Sequence, residues 1–377
     1  MNEVKTQENT KRSSLVDILK AIGIISVVIG HAGKILPLTN FPITKFVYCY
    51  HIMVFMFVMG FLFKKDNATP PYKYIGKTIY KIGGLFVIYN VFAVGLHNLF
   101  VALNMIDDPV YTKIEIFTRM IKSISLSSSE KMLGAFWFLH IYIFAAIIFV
   151  CCFYFAERRK KPVIYHIGFV IACMFIGVFL NHRNISLSYH FQTSFLAVPI
   201  CYLGYVVKQY WDNIKKFITI YGAIIAAVLM FLIVYWTDSG IELSQNRIGS
   251  PYLFYPITLL GLYFCVGLAK FIDHFRIPRQ IFAHVGKNSF HIMSLHFICI
   301  KLIDIIYGSI IHADKSVITR YPYAFNIPYA YYIVGIIMPL IIIHVLKWTQ
   351  QKIMLLWTKY NQKKTELKTE PNNEKTI

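Results

Sequence analysis

Charged residues are scarce in this chain. Only 15% of its 377 residues are Asp, Glu, Lys or Arg, whereas soluble domains average about 25%. The seven cysteines all fall inside apolar segments, with no Cys-x-x-Cys spacing and no histidine at a zinc-finger interval. These scarcities exclude an ordinary soluble domain, a secreted disulfide scaffold and a zinc finger. The cysteines are predicted to be small buried side chains.

Apolar residues, which make up 57% of the chain, occur in long blocks separated by short basic stretches. A membrane-spanning α-helix needs about twenty consecutive apolar residues, so each block is long enough to cross a bilayer. The chain is therefore predicted to be an all-α polytopic membrane protein with about ten transmembrane helices. The predicted spans are 16–36, 46–63, 79–103, 134–155, 163–181, 192–207, 216–236, 251–270, 285–309 and 328–350.

The basic residues predict the orientation of these spans. Of the 38 Lys and Arg, 27 lie near the two termini and in alternate connections, which the positive-inside rule assigns to the cytoplasm. The formal net charge of +20 is thereby explained without a nucleic-acid partner. The longest outer loop, 104–133, is expected to include a short interfacial helix. The predicted regions are a cytoplasmic N-terminal tail (1–15), a ten-helix transmembrane domain (16–350) and a largely disordered, basic cytoplasmic tail (351–377).

The first span carries an unusual set of polar side chains, Asp17, Lys20 and His31. At 100° per residue, Lys20 and His31 differ by only about 20° around the helix axis and are separated by about 16 Å along it. Asp17 precedes Lys20 by three residues, a spacing at which the two side chains can pair. Because ionisable groups in a span usually face the bundle interior or a wet cavity, this stripe indicates a functional site. The alternative is two interfacial charges that snorkel to the membrane surface and a histidine that bonds to a neighbouring helix.

Other histidines are predicted at a similar depth, namely His51, His140 and His296. Two or more of them would line one cavity together with His31. A metal site is the less favoured alternative, because the histidines show no ligand-like spacing and lack nearby carboxylates. Five further histidines at predicted helix ends or loops are expected to be solvated. These are His97, His166, His182, His190 and His274.

Five segments, in order, resemble the membrane proteins of acyltransferase family three. In the first span, Lys20, ten further residues and then His31 match the family's signature of a basic residue, ten residues and histidine. Residues 50–63 resemble the second span of the fucose 4-O-acetylase-like branch, where a histidine leads into an aromatic run. The other three segments are 77–81, like the basic cluster that opens the third span; 136–139, like the Trp-Phe-Leu motif; and 285–296, like Gly-x-x-Ser followed by a late histidine.

The resemblance extends from residue 12 to about residue 305 and includes the number of spans and their orientation. Two positions depart from the family pattern. Met59 replaces the usual Ser before Gly60, and Gly83-Gly84 stands where Pro is common. The first departure removes any role that the family's serine would have at this position.

The resemblance implies an O-acyltransferase of the fucose 4-O-acetylase-like, polysaccharide O-acetyltransferase branch. Such an enzyme moves an acyl group, usually acetyl, from acyl-coenzyme A to a hydroxyl of a cell-surface polysaccharide or lipid-linked glycan. The expected partners are acetyl-CoA as co-substrate, a carbohydrate acceptor and membrane lipid, with no bound cofactor and no metal. The expected location is the cell membrane, with multiple passes.

This chemistry needs a base, donors for an oxyanion and cations for the phosphates of the coenzyme. The predicted catalytic residues are His31, as base or acylated nucleophile, and Asp17 and Lys20. The predicted donor-binding residues are Lys77, Lys81 and Ser289, and the predicted acceptor-side residues are His51, Trp137 and His296. Other interpretations remain open for several of them: the lysines as ordinary positive-inside anchors, Trp137 as an interfacial anchor, and Ser289 in a helix cap.

Two other functions compete with this one. A transporter or flippase of glycan intermediates would also have many spans with buried polar residues, but such folds usually contain two related halves, and the sequence has no internal duplication. A structural subunit of a polysaccharide-synthesis complex would leave the stripe from Lys20 to His31 unexplained. The sequence does not identify the acceptor sugar, the acyl chain or the oligomeric state.

Overall fold

The structure, a computed structural model, describes residues 14–33, 41–237 and 240–369, and these residues are mostly α-helical. Within them, ten helical segments are long and apolar enough to cross a membrane, which confirms the predicted all-α polytopic fold. The ten spans are Ser14–His31, Ile43–Leu62, Pro71–Gly95, Lys131–Glu157, Pro162–His182, Ser188–Gln209, Ile220–Thr237, Phe254–His274, Ser289–Ile310 and Pro328–Thr358.

The individual helices subdivide some spans and add short connecting elements. In chain order they are α1 (Ser14–His31), α2 (Ile43–Tyr48), α3 (His51–Leu62), α4 (Pro71–Thr78), α5 (Gly84–Gly95), α6 (His97–Ala102), α7 (Lys113–Ile124), α8 (Trp137–Glu157), α9 (Pro162–His182), α10 (Phe191–Gln209), α11 (Trp211–Ile214), α12 (Ile220–Thr237), α13 (Phe254–His274), α14 (Arg276–Lys287), α15 (Ser289–Ile310), α16 (Lys315–Ile318) and α17 (Pro328–Thr369). A π-helical turn, Ile79–Gly83, joins α4 to α5. The 3₁₀ turns are Lys65–Ala68, Lys131–Phe136, Ser188–His190, Lys215–Phe217 and Leu243–Gln245, and the one short hairpin among the described residues pairs β1 (Ile241–Glu242) with β2 (Arg247–Ile248).

Several span boundaries differ from the prediction, most of all those of the third span, which ends at Gly95 instead of 103. The first span ends at His31, and residues 34–36 of the predicted span lie outside the described residues. The third span begins at Pro71 instead of 79, because proline is favoured in the first turn of a helix. The polar residues after Pro71 lower the hydropathy, so the sequence pattern placed the start of the span later. The ninth span begins at Ser289 instead of 285, because Asn288 is not helical and separates α14 from α15.

The last helix is longer than expected. A largely disordered tail was predicted over 351–377, but α17 continues to Thr369. Lys, Gln, Glu and Leu are good helix formers, and the preceding membrane span removes the cost of nucleating a helix. Residues 370–377 lie outside the described part of the chain.

The spans form a centre and a periphery. The most apolar window of α1 is 67% buried and that of the span containing α3 is 72% buried, against 11% for α9 and 22% for α12. Helix α1 packs against α2, α3, α13, α14, α15 and α17, so its polar stripe lies in the interior of the bundle. Peripheral helices expose apolar side chains, as expected of surfaces that face lipid.

Glycines allow the closest helix contacts around this centre. A Cβ atom on Gly60 of α3 would lie 1.8 Å from the carbonyl oxygen of Cys201 in α10, and one on Gly204 of α10 would lie 2.1 Å from that of Phe57. No larger residue fits at these distances. Small residues at the contact points are the usual means by which membrane helices approach each other.

The connections on the His31 side of the bundle fold into a layer of their own. The predicted short helix in loop 104–133 is α7, whose apolar residues Ile114 and Phe117 are exposed. Its N-terminus is closed by a capping box, in which the Thr112 hydroxyl accepts the Glu115 backbone N–H and the Glu115 carboxylate accepts the Thr112 N–H.

His97 belongs to this layer and is not solvated, contrary to the prediction. Its side chain is fully buried, with Nδ1 2.8 Å from the Glu130 carboxylate and Nε2 3.0 Å from the Pro109 carbonyl. The ring also stacks on Tyr111 at 3.3 Å. The pair ties α6 to the end of the loop, a contact between residues too far apart in the chain for the sequence pattern to reveal.

Candidate functional site

A cavity of about 370 Å³ extends along α1 between α3, α8 and α15. Its wall is apolar in the middle and polar at both ends. We call it the central cavity. Six of the nine predicted site residues line it: Lys20, His31, His51, Lys81, Trp137 and Ser289.

The helical period explains why α1 contributes to both ends of the cavity. Lys20 and His31 share one face, and the apolar residues Ile24 and Val27 line the wall between them. Asp17 does not line the cavity; it is buried behind it, with its carboxylate 3.7 Å from the Lys20 Nζ. Lys20 is partly exposed, and the ion pair with Asp17 holds its ammonium group at the cavity wall.

Three lysines surround the end of the cavity near the start of α1. They are Lys20, Lys81 from the π-helical turn and Lys287 from the last turn of α14. Lys77 is exposed and does not line the cavity, so the predicted pair of donor-binding lysines is divided. The π-helical turn includes Lys81 but not Lys77, and such turns are frequent at functional sites because they change the direction of side chains.

Close packing carries α14 to this end of the cavity. A Cβ atom on Gly286 would lie 1.7 Å from the Asp17 carbonyl oxygen, so only glycine lets α14 pack against α1 here. The glycine of the Gly-x-x-Ser segment thus has a packing role. It brings the next residue, Lys287, and Ser289 at the start of α15 to the cavity wall.

Histidines and aromatic rings surround the opposite end. The His31 ring lies 5.5 Å from the His296 ring, in a stacked arrangement, and 4.9 Å from the Phe297 ring. Tyr48 lies between His31 and His51, at ring-centroid distances of 6.4 Å and 4.7 Å. The histidines that the sequence placed at similar depth, His31, His51 and His296, therefore do meet, whereas His140 lines a different cavity.

Backbone hydrogen bonds orient two of these rings. The Nδ1 of His51 bonds to the Val47 carbonyl at 3.0 Å, and the Nδ1 of His296 bonds to the Met293 carbonyl at 2.8 Å. A carbonyl only accepts, so Nδ1 carries the proton and, in the neutral ring, Nε2 has a free lone pair. The Nε2 of His296 is buried without a hydrogen-bond partner among the described residues, beside His31. His296 does not line the central cavity, so the basic nitrogen atoms at this end of the cavity wall belong to His31 and His51.

A buried ion pair that was not among the predicted site residues stabilises this end. Lys301 and Asp304 of α15 are fully buried and 2.8 Å apart. Lys301 also donates to the Arg320 carbonyl at 2.9 Å, and Tyr331 of α17 donates to Asp304 at 2.5 Å. Two ionisable residues three positions apart in an apolar span are the sequence signal that would have identified this pair.

The loop that this network anchors contacts the aromatic side of the site. Tyr321 in the loop lies 5.2 Å from the Phe297 ring, which in turn contacts His31. Its hydroxyl donates to the Lys131 carbonyl at 2.8 Å, and burial raises the pKa of this phenol. The network thus positions a phenol ring over the aromatic side of the site without touching the cavity.

A protein-family model matches almost the whole chain. Residues 14–348 match the family model of acyltransferase family three, described as an acyltransferase domain. The matched segment contains all nine predicted site residues. None of the curated proteins and none of the solved structures compared with the chain matches it.

Proposed function

The chain belongs to acyltransferase family three and is a multi-pass membrane acyltransferase, and from this premise we propose that it is an O-acetyltransferase. It takes the acetyl group from acetyl-CoA and transfers it to a hydroxyl of a cell-surface polysaccharide or lipid-linked glycan in the cell membrane. Within the family we propose the fucose 4-O-acetylase-like, polysaccharide O-acetyltransferase branch, on the five motifs described above.

The observation that carries the proposal is the polarity of the central cavity. Three lysines lie at one end, histidines lie at the other, and the rise of α1 between Lys20 and His31 is about 16 Å. A coenzyme A thioester has the same polarity, because its phosphates and its acyl group lie at opposite ends of a long, thin pantetheine arm. In this proposal the pantetheine arm lies along the apolar middle of the cavity.

The lysine end binds the donor. Lys20, Lys81 and Lys287 supply point charges for the 3′-phosphate and the pyrophosphate. Ser289, at the start of α15, adds a hydroxyl donor. Lys77 has no part in this proposal because it does not line the cavity.

The histidine end performs the transfer. His31 takes the proton of the acceptor hydroxyl as the hydroxyl oxygen attacks the thioester carbonyl carbon. The tetrahedral intermediate collapses, the carbon–sulfur bond breaks, and the departing coenzyme A thiolate receives the proton from His31. The products are the O-acetyl ester and free coenzyme A, so atoms and charge balance.

The neighbouring residues support this step. His296 stacks on His31 and holds the ring in place, and Asp17 sets the position of Lys20. His51 and Trp137 line the wall on which the acceptor rests. An acetylated His31 intermediate is the variant of the mechanism in which the hydroxyl attacks the acyl-imidazole instead of the thioester.

Two experiments test this proposal. In the first, the purified full-length protein is reconstituted in vesicles and the consumption of labelled acetyl-CoA is measured. In the second, glycans extracted from cells with and without the protein are compared by mass spectrometry for the addition of one acetyl group. We expect acetylated glycan only where the active protein is present, and none with a His31→Gln variant. Equal acetylation in both kinds of cell, together with no consumption of labelled acetyl-CoA in vesicles, would refute the proposal.

A further inference from the structure

A second cavity, of about 420 Å³, lies on the His31 side of the bundle. Its wall is made by residues 127–129 before α8, residues 186, 187, 189 and 190 before α10, residues 244–246 in the turn between β1 and β2, and two side chains of α8, Trp137 and His140. Among the described residues, no Lys, Arg, Asp or Glu lines this cavity. The wall consists mainly of hydroxyl, amide and aromatic side chains.

Several of these polar side chains are exposed to the cavity or to solvent and have no hydrogen-bond partner among the described residues. In the described part of the chain, the side chains of Ser129, Ser186, Tyr189 and Trp137 form no hydrogen bond with another residue. Each can donate a hydrogen bond, and the three hydroxyls can also accept one. The cavity therefore presents several open hydrogen-bonding positions in a small space.

Aromatic rings form the other part of the wall. The Tyr189 ring stacks on His140 with centroids 5.1 Å apart, and the His190 ring lies 5.3 Å from Trp137. Flat aromatic faces next to hydrogen-bonding groups match the chemistry of a sugar, whose ring has apolar C–H faces and a rim of hydroxyls.

The backbone is strained around this cavity. Tyr189 and His190 have φ angles of 58° and 56°, and Leu126 and Asn246 at its border both have φ of 57°. A bulky residue in this left-handed region costs about 1–2 kcal/mol, and such strain tends to persist where it serves a function. Here it holds two consecutive aromatic rings against the cavity.

Trp137 connects the second cavity to the site of transfer. Its side chain lines both the second cavity and the central cavity. The connections that form the second cavity precede even-numbered spans, so they lie on the side of the bundle opposite the start of α1. An occupant of the second cavity is thus adjacent to the histidine end and remote from the lysines.

We infer that the second cavity binds neutral sugar units of the acceptor glycan, with Trp137 as the wall shared with the reacting unit. The inference rests on the proposed function and specifies its acceptor. Charged polymers are disfavoured, because the cavity wall provides no lysine, arginine, aspartate or glutamate to pair with them.

The test measures retention of the detergent-solubilised full-length protein on immobilised glycans. The neutral probes are glucan, galactan, mannan and fucosylated oligosaccharides, and the acidic probes are alginate and polygalacturonate. We expect retention on a neutral probe and weaker retention on the acidic ones. Tyr189→Gly should weaken retention by roughly ten-fold, since it removes an aromatic face while glycine relieves the backbone strain at φ 58°.

Three further variants make the result specific. Tyr252→Gly removes an exposed tyrosine on the same side but outside the cavity, and it should leave retention unchanged. Ser186→Val replaces Tyr189→Gly if the latter does not elute as a folded protein. His31→Gln should lose acetyl transfer and keep retention, which separates the two proposals.

The outcomes are distinct. Retention on neutral glycans without acetyl transfer by the unmodified protein supports the cavity and refutes the proposed function. Failure to bind any neutral probe, equal binding to acidic probes, or unchanged retention of both cavity variants overturns the inference.

Discussion

His31 is the residue on which the chemistry of the central cavity depends most directly. We expect His31→Gln to reduce acetyl transfer by at least about a hundred-fold, the low end of the contribution of general-base catalysis. Glutamine keeps a hydrogen-bonding side chain of similar size but is not basic, so a merely structural histidine would tolerate it. The measurement is the rate of label transfer from acetyl-CoA to glycan.

A matched control for this change is His274→Gln at the exposed end of α13. It should have the activity of the unmodified protein. Substantial glycan acetylation by folded His31→Gln protein would remove His31 from the reaction and leave His51 or His296 as the candidate base.

The lysines allow an equally direct comparison, because only one of two neighbours lines the cavity. Lys81→Gln should raise the Michaelis constant for acetyl-CoA by about ten-fold, which corresponds to the loss of one charge-assisted contact. Lys77→Gln, four residues earlier and outside the wall, should leave it unchanged. Donor titrations of both variants provide the measurement, and equal effects of the two substitutions would argue against donor binding at this end.

At the scale of the helices, the contact between α1 and α14 decides whether the donor end forms. Gly286→Ala would put a methyl group 1.7 Å from the Asp17 carbonyl oxygen, so α14 would have to move away from α1. We expect a loss of stability of about 1–3 kcal/mol, as for other overpacked sites, together with weaker binding of acetyl-CoA because Lys287 moves with the helix. Thermal unfolding of the solubilised protein and donor titration are the two measurements.

Gly168→Ala is the control for this change. Gly168 lies in α9, and a Cβ there would meet nothing within 4 Å. Alanine within a helix stabilises the folded protein by about 0.5–1 kcal/mol relative to glycine, so this variant should unfold at the same or a higher temperature. If both variants unfold like the unmodified protein, the close approach of α14 does not limit stability.

For the whole molecule, the even number of spans and the distribution of basic residues predict that both termini are cytoplasmic. Tyr252 is exposed in a connection that this orientation places outside the cell. The new thiol of Tyr252→Cys should therefore react with a membrane-impermeant reagent in intact cells. Lys160 is exposed in a connection that this orientation places in the cytoplasm. The new thiol of Lys160→Cys should therefore react only after the cells are opened. A reporter active only in the cytoplasm, fused to Ile377, should be active.

The described native cysteines are buried or partly buried, which limits background labelling. Labelling of the Lys160→Cys variant from outside would show that the orientation is the reverse of the predicted one. The lysine end of the cavity would then face away from cytoplasmic acetyl-CoA. The orientation is thus a requirement of the proposed mechanism as well as a property of the fold.

The sequence by itself determined the properties that depend on local pattern. The lengths of the apolar blocks determined that there are ten spans, because a bilayer requires about twenty apolar residues whatever their neighbours are. The helical period determined that Lys20 and His31 share a face, because that angle depends only on their spacing. Family motifs with a fixed order then marked all nine candidate residues within the matched segment.

Only the tertiary structure decided which of those residues meet. His296 stacks on His31, Lys287 replaces Lys77 at the lysine end, and His97 is buried against Glu130. Each of these outcomes depends on how helices distant in the chain cross and how closely they approach, down to the missing Cβ of a glycine. The spacing of residues within one helix contains no information about those crossings, so the partners of each site residue emerge only when the bundle is assembled.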